Sequence, residues 1–407
     1  MTPLHVAITG MGLMTGLGLD LESSWDGLLR GQCPAKRLTL FDPQGLASDF
    51  GVQLPDGADE LFAKSIMTRN RRQMTRTTMM NIVVADMALA DAGLVLDKTD
   101  RSRVGVVVGA TGTGYAPRDP AAVDEHRILR NMASAPAAWI SLRHKLSGPS
   151  WVVSTACASG AYALHSACML VLSGQCDVVV AGSADSTLNY LDMNGFCSLL
   201  ALSESRHDPA HASRPFDKDR NGFVMGEGGG FMLVESPEHA RMRGARVYAR
   251  MAMPGITSEA FNILSPEPSG TGMARSMLVA LVNAGIQPRD IDYINAHGTS
   301  TPQNDAAEVG AIKQVFGERA TRIPVSSTKS MTGHCLSAAA GVEAVICCKA
   351  LVEGAIPPTA NLTAPDLGFD LDFVPAKPRT APLRHVMSNS FAFGGHNGVC
   401  VFSAPEA

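Results

Sequence analysis

The sequence predicts an α/β layered fold, and three features carry that expectation. Short Val/Ile-rich runs bounded by glycine alternate with Ala/Leu/Met-rich stretches of helical length, the pattern of strands covered on both faces. At 407 residues the chain exceeds what one core normally holds, so two domains or one fused pair are expected. No low-complexity linker separates two halves. The halves must therefore pack intimately.

Taken in order, "HVAITG" (5–10) follows a short start without a basic n-region, so it reads as a buried strand rather than a signal peptide. "RVGVVVG" (103–109), "WVVST" (151–155), "DVVVAGS" (177–183) and "GGGFMLVE" (228–235) complete a first set of strands. A second set follows in "RVYARMAM" (246–253), "DIDYINAHG" (290–298), "IPVSST" (323–328), "HVMSNSF" (385–391) and "GVCVF" (398–402). The division between the sets places one unit at 1–245 and another at 246–407.

The two sets repeat each other. "ALADAGLVLDKTDRSRVGVVVGATGTG", from Ala88, matches "ALVNAGIQPRDIDYINAHGTST", from Ala280: a helix ending in Ala-Gly, an acidic turn, a strand, then a Gly/Thr loop. "STACASGAYALHSACMLVLSGQCDVVV" is echoed by "SSTKSMTGHCLSAAAGVEAVICCKALVEGAI", each running through Ser-Thr into a small-residue helix. Two matches in the same order point to duplication. Pseudo-twofold symmetry would then bring Cys157, His297 and His334 to equivalent ends of central strands, where α/β sheets place their ligands.

Composition excludes several roles. A formal charge of −4 without a long basic run argues against nucleic acid. Nine cysteines form no CxxC pair and leave an odd thiol, which argues against a disulfide framework or a zinc site and for a reducing cytoplasm. No stretch approaches the ~20 apolar residues of a membrane span. A cytoplasmic, soluble protein is expected, with no metal.

One cysteine stands apart. In "VVSTACASGAYALHSA" (152–167), Cys157 lies among small residues where an apolar run gives way to a helical pattern. It is either a small core residue or a nucleophile aimed out of a helix start. "STACASG" around Cys157, "NAHGTST" with His297, "STKSMTGHCLSAAAG" with Lys329 and His334, "SNSFAFGGHNG" with Phe393, and "SRPFDKDRNGFVMGEGGG" together resemble the β-ketoacyl-acyl-carrier-protein synthases. The match runs almost end to end. The resemblance implies a duplicated thiolase-like fold in five layers, α-β-α-β-α, and a decarboxylating condensing enzyme of the Cys-His-His type.

The chemistry fits those residues. A thiolate at a helix N-terminus meets unpaired N–H groups and the positive end of the dipole, whose ~2 kcal/mol lowers a thiol pKa by at most ~1.5. Some thiolate would then exist at neutral pH without a dedicated base. Cys157 would hold the acyl chain as a thioester, its own N–H joining another amide in an oxyanion hole. The resemblance assigns that second amide, and a gate, to Phe393. Loss of CO₂ from a malonyl thioester leaves an enolate that two neutral imidazole N–H groups, on His297 and His334, can stabilise. The resemblance further implies that Lys329 and Glu343 form a buried charge network orienting the histidines. It assigns Thr299 and Thr301 to the malonyl-pantetheine arm, and Asp305 and Glu308 to structural support. No cofactor is implied beyond the phosphopantetheine arm of an acyl carrier protein.

Departures matter too. Ala392 replaces the usual glycine before the gating phenylalanine, and its methyl is expected to restrict the hinge. His396 is a loop variant. "AFGGHNG" lacks the second cysteine of a thiolase, and "TGHC" keeps a histidine where starter-unit and chalcone-type enzymes carry Asn. A non-catalytic chain-length-factor-like partner would lack Cys157. Ala392, "RHKLSGPSWVV" and "RRQMTRTTMM" favour a type II polyketide or polyene ketosynthase subunit over a housekeeping fatty-acid elongation synthase. Two surfaces are expected. The apolar strand edge at "WVVSTA", beside 117–150, implies a homodimer or a heterodimer with a homologous chain-length-factor subunit. "AKSIMTRNRRQMTR" (63–76) offers Lys64, Arg69, Arg71, Arg72 and Arg76 to an acidic carrier.

Overall fold

The computed structural model describes residues 4–112, 114–115, 124–205 and 208–405. Among the described residues eleven strands join in one bent sheet. The first five are β1 (His5–Met14), β2 (Val104–Gly109), β3 (Ser150–Val153), β4 (Val178–Asp185) and β5 (Gly228–Glu235). The rest are β6 (Ala249–Ala252), β7 (Gly255–Ser258), β8 (Tyr293–Asn295), β9 (Val325–Ser326), β10 (His385–Ala392) and β11 (His396–Ser403). All ten strand runs read from the sequence form strands. β7, pairing with β11, is the addition.

The sheet carries the duplication in its pairing pattern. One half runs β3-β2-β4-β5-β1, with the first two contacts parallel and the next two antiparallel. The other runs β9-β8-β10-β11-β6 with the same succession. The halves meet where β1 pairs antiparallel with β6, His5 opposite Ala252. Cys157 and His334 thus follow matching strands, β3 and β9. These are the outermost strands of the sheet rather than central ones, which corrects the expected placement. The strand order sets it: each half puts its third strand in sequence at the end of its ladder.

The layers explain the apolar runs. Helix α1 (Arg76–Asp91) covers one face of the first half-sheet, while α2 (Ala135–His144) packs beside β3. Helices α3 (Ser159–Leu172) and α6 (Ala339–Glu353) touch each other and both half-sheets, so they form the middle layer. Helix α4 (Thr271–Ala284), with α5 (Pro302–Phe316) against it, covers the second half-sheet. The result is α-β-α-β-α. A helix packed between two half-sheets keeps little solvent face, and in α6 every residue from Ala339 to Leu351 is buried. The two middle helices approach so closely that a Cβ on Gly160 would stand 2.5 Å from the Gly341 nitrogen. Only glycine fits there.

Candidate active site

Each half leaves its outermost strand and enters a middle helix through the same strained elbow. Ala156 sits at φ +48°, Cys157 follows, and α3 begins two residues later at Ser159. Leu336 sits at φ +47°, Ser337 follows, and α6 begins two residues later at Ala339. Non-glycine residues at positive φ cost ~1–3 kcal/mol, so each elbow needs bracing. At the first, the Ser159 hydroxyl accepts from the Thr155 N–H at 2.9 Å and donates to the Ala156 carbonyl at 2.7 Å. At the second, the Ser337 N–H, at 3.3 Å, and its hydroxyl both donate to Asp185 at the end of β4.

The first elbow opens on a cavity of about 240 Å³. Cys157, His297, His334, Thr299, Thr301 and Phe393 all line it. Sγ of Cys157 and one nitrogen of each histidine lie within 4.8 Å of one another. Sequence reasoning separated these residues by up to 236 positions, and the fold brings them together at one point.

The His297 loop hangs from two acids of α5. Glu308 accepts from the His297 and Gly298 N–H groups, both at 2.8 Å, and from Asn389 Nδ2 at 3.0 Å. Asp305 accepts from the Thr299 N–H at 2.9 Å and the Phe216 N–H at 2.9 Å. Burial pushes Glu308 up to about 7 and Asp305 upward, against the pull of those donors. The Thr299 and Thr301 hydroxyls share a hydrogen bond of 2.8 Å. The His334 N–H donates to the Val224 carbonyl at 2.7 Å, and its ring meets Phe223 edge-on at 5.1 Å and His297 at 5.4 Å.

Both imidazoles are neutral. Burial first, then the nearby Lys329 charge, holds each well below the ordinary histidine range. Their Nδ1 atoms are buried without a hydrogen-bond partner, and a neutral imidazole has one N–H and one acceptor nitrogen, so each ring can donate or accept according to its tautomer. Lys329 pairs with Glu343, and both are buried; burial drives Glu343 upward and the Lys329 charge opposes it. A thiol and two imidazoles are also a donor set for a soft metal. Metal-bound imidazoles normally donate their second nitrogen to a carboxylate or carbonyl, a feature these two Nδ1 atoms lack.

The thiol itself departs from expectation. Burial pushes Cys157 up to about 12, and the Lys329 charge only partly offsets this. The rise exceeds what a helix end returns. Burial thus favours a resting thiol over a thiolate sustained by the dipole alone, with the two imidazoles beside it.

Phe393 tips the hairpin between β10 and β11, where Ala392 pairs with His396. Ala392 has φ −125° and ψ 157°, extended backbone open to any residue. Gly394 at φ +81° and Gly395 at φ +69° hold the positive angles. The Ala392 methyl therefore meets no backbone strain in this conformation.

The basic stretch divides. Lys64, Arg69 and Arg72 are exposed, Arg71 is half-buried with a nitrogen 3.0 Å from Thr68 Oγ1, and none lines the cavity. Arg76 turns inward: it grips the fully buried Glu227 at 2.8 and 2.9 Å and also meets Asp59. Its place on a docking surface is corrected, because its guanidinium is committed to Glu227, whose buried carboxylate would otherwise stand unpaired at high cost. Among the described residues the edge strand β3 pairs only with β2, and Trp151 on it is 37% exposed. Residues 117–123 of the adjoining segment lie outside the described residues. Among the described residues no helix is long and apolar enough to cross a membrane.

Sequence reasoning missed Ser159, Asp185, Phe223 and Asn389. Ser159 lay inside "STACASG" and could have been found as the hydroxyl that an αL elbow requires. Asp185 carried no signal, since its partner Ser337 is 152 residues away.

The family model for the N-terminal domain of β-ketoacyl synthases matches residues 4–240, and that for the C-terminal domain matches residues 248–363. The chain belongs to the β-ketoacyl synthase family. As a β-ketoacyl synthase it is an acyltransferase-type condensing enzyme. It is 40% identical to the 3-oxoacyl-[acyl-carrier-protein] synthase 2 of Rhizobium meliloti over 97% of each chain. It is 38% identical to that of Synechocystis, over 98% of this chain and 97% of the relative. Among solved structures, the ishigamide ketosynthase/chain length factor superposes with a TM-score of 0.91 at 31% identity, covering both chains fully. A ketosynthase bound to a hexaketide, in complex with its type II polyketide acyl carrier protein, superposes with a TM-score of 0.89 at 30% identity, again over both full chains.

Proposed function

We propose that this β-ketoacyl synthase condenses an acyl group held on Cys157 with malonyl-acyl carrier protein, releasing CO₂ and a β-ketoacyl-acyl carrier protein. The convergence of Cys157 with two neutral imidazoles carries this reading. In the first half reaction an imidazole in the tautomer whose cavity-facing nitrogen is unprotonated takes the Cys157 proton as sulfur attacks the incoming thioester, and returns it to the departing pantetheine thiolate. The imidazoles are then neutral again. In the second, with both rings in the tautomer that turns an N–H to the cavity, His297 and His334 hold the malonyl thioester oxygen while the C–C bond to the carboxylate breaks. The resulting carbon nucleophile attacks the acyl-Cys157 carbonyl, whose oxyanion takes the Cys157 and Phe393 N–H groups. Collapse expels the Cys157 sulfur, which takes a proton from solvent, the one proton the overall reaction consumes. Lys329 and Glu343 are positioning residues, and Thr299 and Thr301 contact the malonyl-pantetheine arm.

The carrier docks on Lys64, Arg69 and Arg72, with Arg71 at the margin, and the chain dimerises along β3. Exposed Trp151, Leu142 and Met169 on β3, α2 and α3 support that face. The pathway favoured is a type II polyketide or polyene subunit, supported by the names of the two structural neighbours above. Fatty-acid elongation is the second reading, supported by the higher identity to 3-oxoacyl-[acyl-carrier-protein] synthase 2. Product analysis with saturated and polyene primers separates them.

The test of the reaction is His334→Ala. It should still form acyl-Cys157, seen by mass spectrometry, while malonyl decarboxylation falls ~10²–10⁴-fold. Loss of acylation with decarboxylation intact would overturn the division of roles.

A further inference from the structure

The Phe393 hairpin is braced by two ring side chains that do not line the cavity. His396 begins β11, paired with Ala392 across the hairpin and with Ser258 of β7. Its imidazole covers Gly394: a Cβ built there would stand 3.0 Å from Cδ2 and 3.1 Å from Nε2. The same ring meets Tyr162 edge to face, centroids 6.1 Å apart at 79°. Tyr162 belongs to α3, five residues beyond Cys157, and its hydroxyl donates to the Thr257 carbonyl of β7 at 3.2 Å. Two backbone bonds hold the tip to the neighbouring loop, Gly394 N–H to Ile263 O at 2.8 Å and Glu259 N–H to Gly395 O at 2.9 Å.

We infer that Tyr162 and His396 form a latch that ties the Phe393 tip to the helix carrying the nucleophile and holds the tip closed. Tip movement must turn Gly394 and Gly395, the residues able to change φ cheaply. The His396 ring sits against the first of these, and Tyr162 stands against that ring. Opening therefore breaks the ring contact. The inference rests on the proposed role of Phe393 as the gate that admits malonyl only after acylation. A weakened latch would admit malonyl to an unacylated enzyme. Its C–C bond would then break with no acyl acceptor, the electron pair would take a proton from solvent, and acetyl thioester and CO₂ would leave.

Both residues are positioning residues, and the readout is the ratio of CO₂ released without primer to condensation with primer, in the full chain. His396→Ala and Tyr162→Leu should each raise that ratio, by about 2- to 12-fold from the strength of an aromatic pair. The double variant should go no further than the larger single, because both break one contact. Tyr162→Phe keeps the ring and should stay near wild type, and His396→Thr serves if His396→Ala melts early. An unchanged ratio in both singles, or additive rises in the double, overturns the latch. Phe393→Ala separates the levels: if it raises the ratio and the latch variants do not, the latch alone fails. If Phe393→Ala leaves the ratio unchanged, the gate fails and the latch with it.

Discussion

The two elbows share a backbone and differ in what they do with it. Ala156–Cys157 and Leu336–Ser337 have the same left-handed residue, the same spacing to a middle helix and matching strands before them. Cys157 opens on the cavity. Ser337 is fully buried and bonded by both its N–H and its hydroxyl to Asp185. The strained elbow alone therefore does not make a nucleophile. What decides is whether the side chain after the left-handed residue faces space or a partner, and in the second half the chemistry has moved upstream to His334.

The largest break in the comparison is Cys157→Ala. Condensation should fall by ~10³-fold or more while the melting curve barely moves, since one small buried residue replaces another. Retained condensation in purified variant would show that the first elbow is not the reactive one. Next comes the pair beneath the second elbow. Lys329→Met leaves the Glu343 carboxylate buried without its counter-charge and should cost ~3–5 kcal/mol in urea unfolding. Lys329→Met with Glu343→Leu should recover much of that stability and none of the rate.

Ser337→Ala sharpens the contrast. It strips the Asp185 carboxylate of one donor, which should cost ~1–3 kcal/mol of stability and less than ~10-fold in condensation. A loss matching Cys157→Ala would mean the second elbow is part of the chemistry.

The smallest effect concerns pH. Because burial and the Lys329 charge keep both imidazoles neutral below the ordinary histidine range, decarboxylation should stay flat as pH falls through 6.5. Stability carries opposite signs. Histidines with depressed pKa bind fewer protons folded than unfolded, so they cost stability as pH falls through 6.5. Glu308, raised to about 7, binds more protons folded, and its contribution is lost as pH rises from about 4.5 to 7. A rate inflection near 7 that disappears in Glu308→Gln belongs to the brace under His297. One that persists is an imidazole titrating, against the assignment here.

Strands, layers and duplication were legible because they are written in local periodicity and in glycine and small-residue punctuation, which survive without tertiary context. Cys157, His297 and His334 were legible because each lies in a short motif of the family the sequence resembles, although His334 follows its strand only after the helical turn Lys329–Thr332. The direction of Arg76, the neutrality of the imidazoles, the thiol raised by burial and the sealed second elbow were not. Each depends on a partner far along the chain: Glu227 lies 151 residues from Arg76, and Asp185 lies 152 from Ser337. Pattern places side chains on elements, but desolvation and charge act through space, and only the packed layers bring those distances into being.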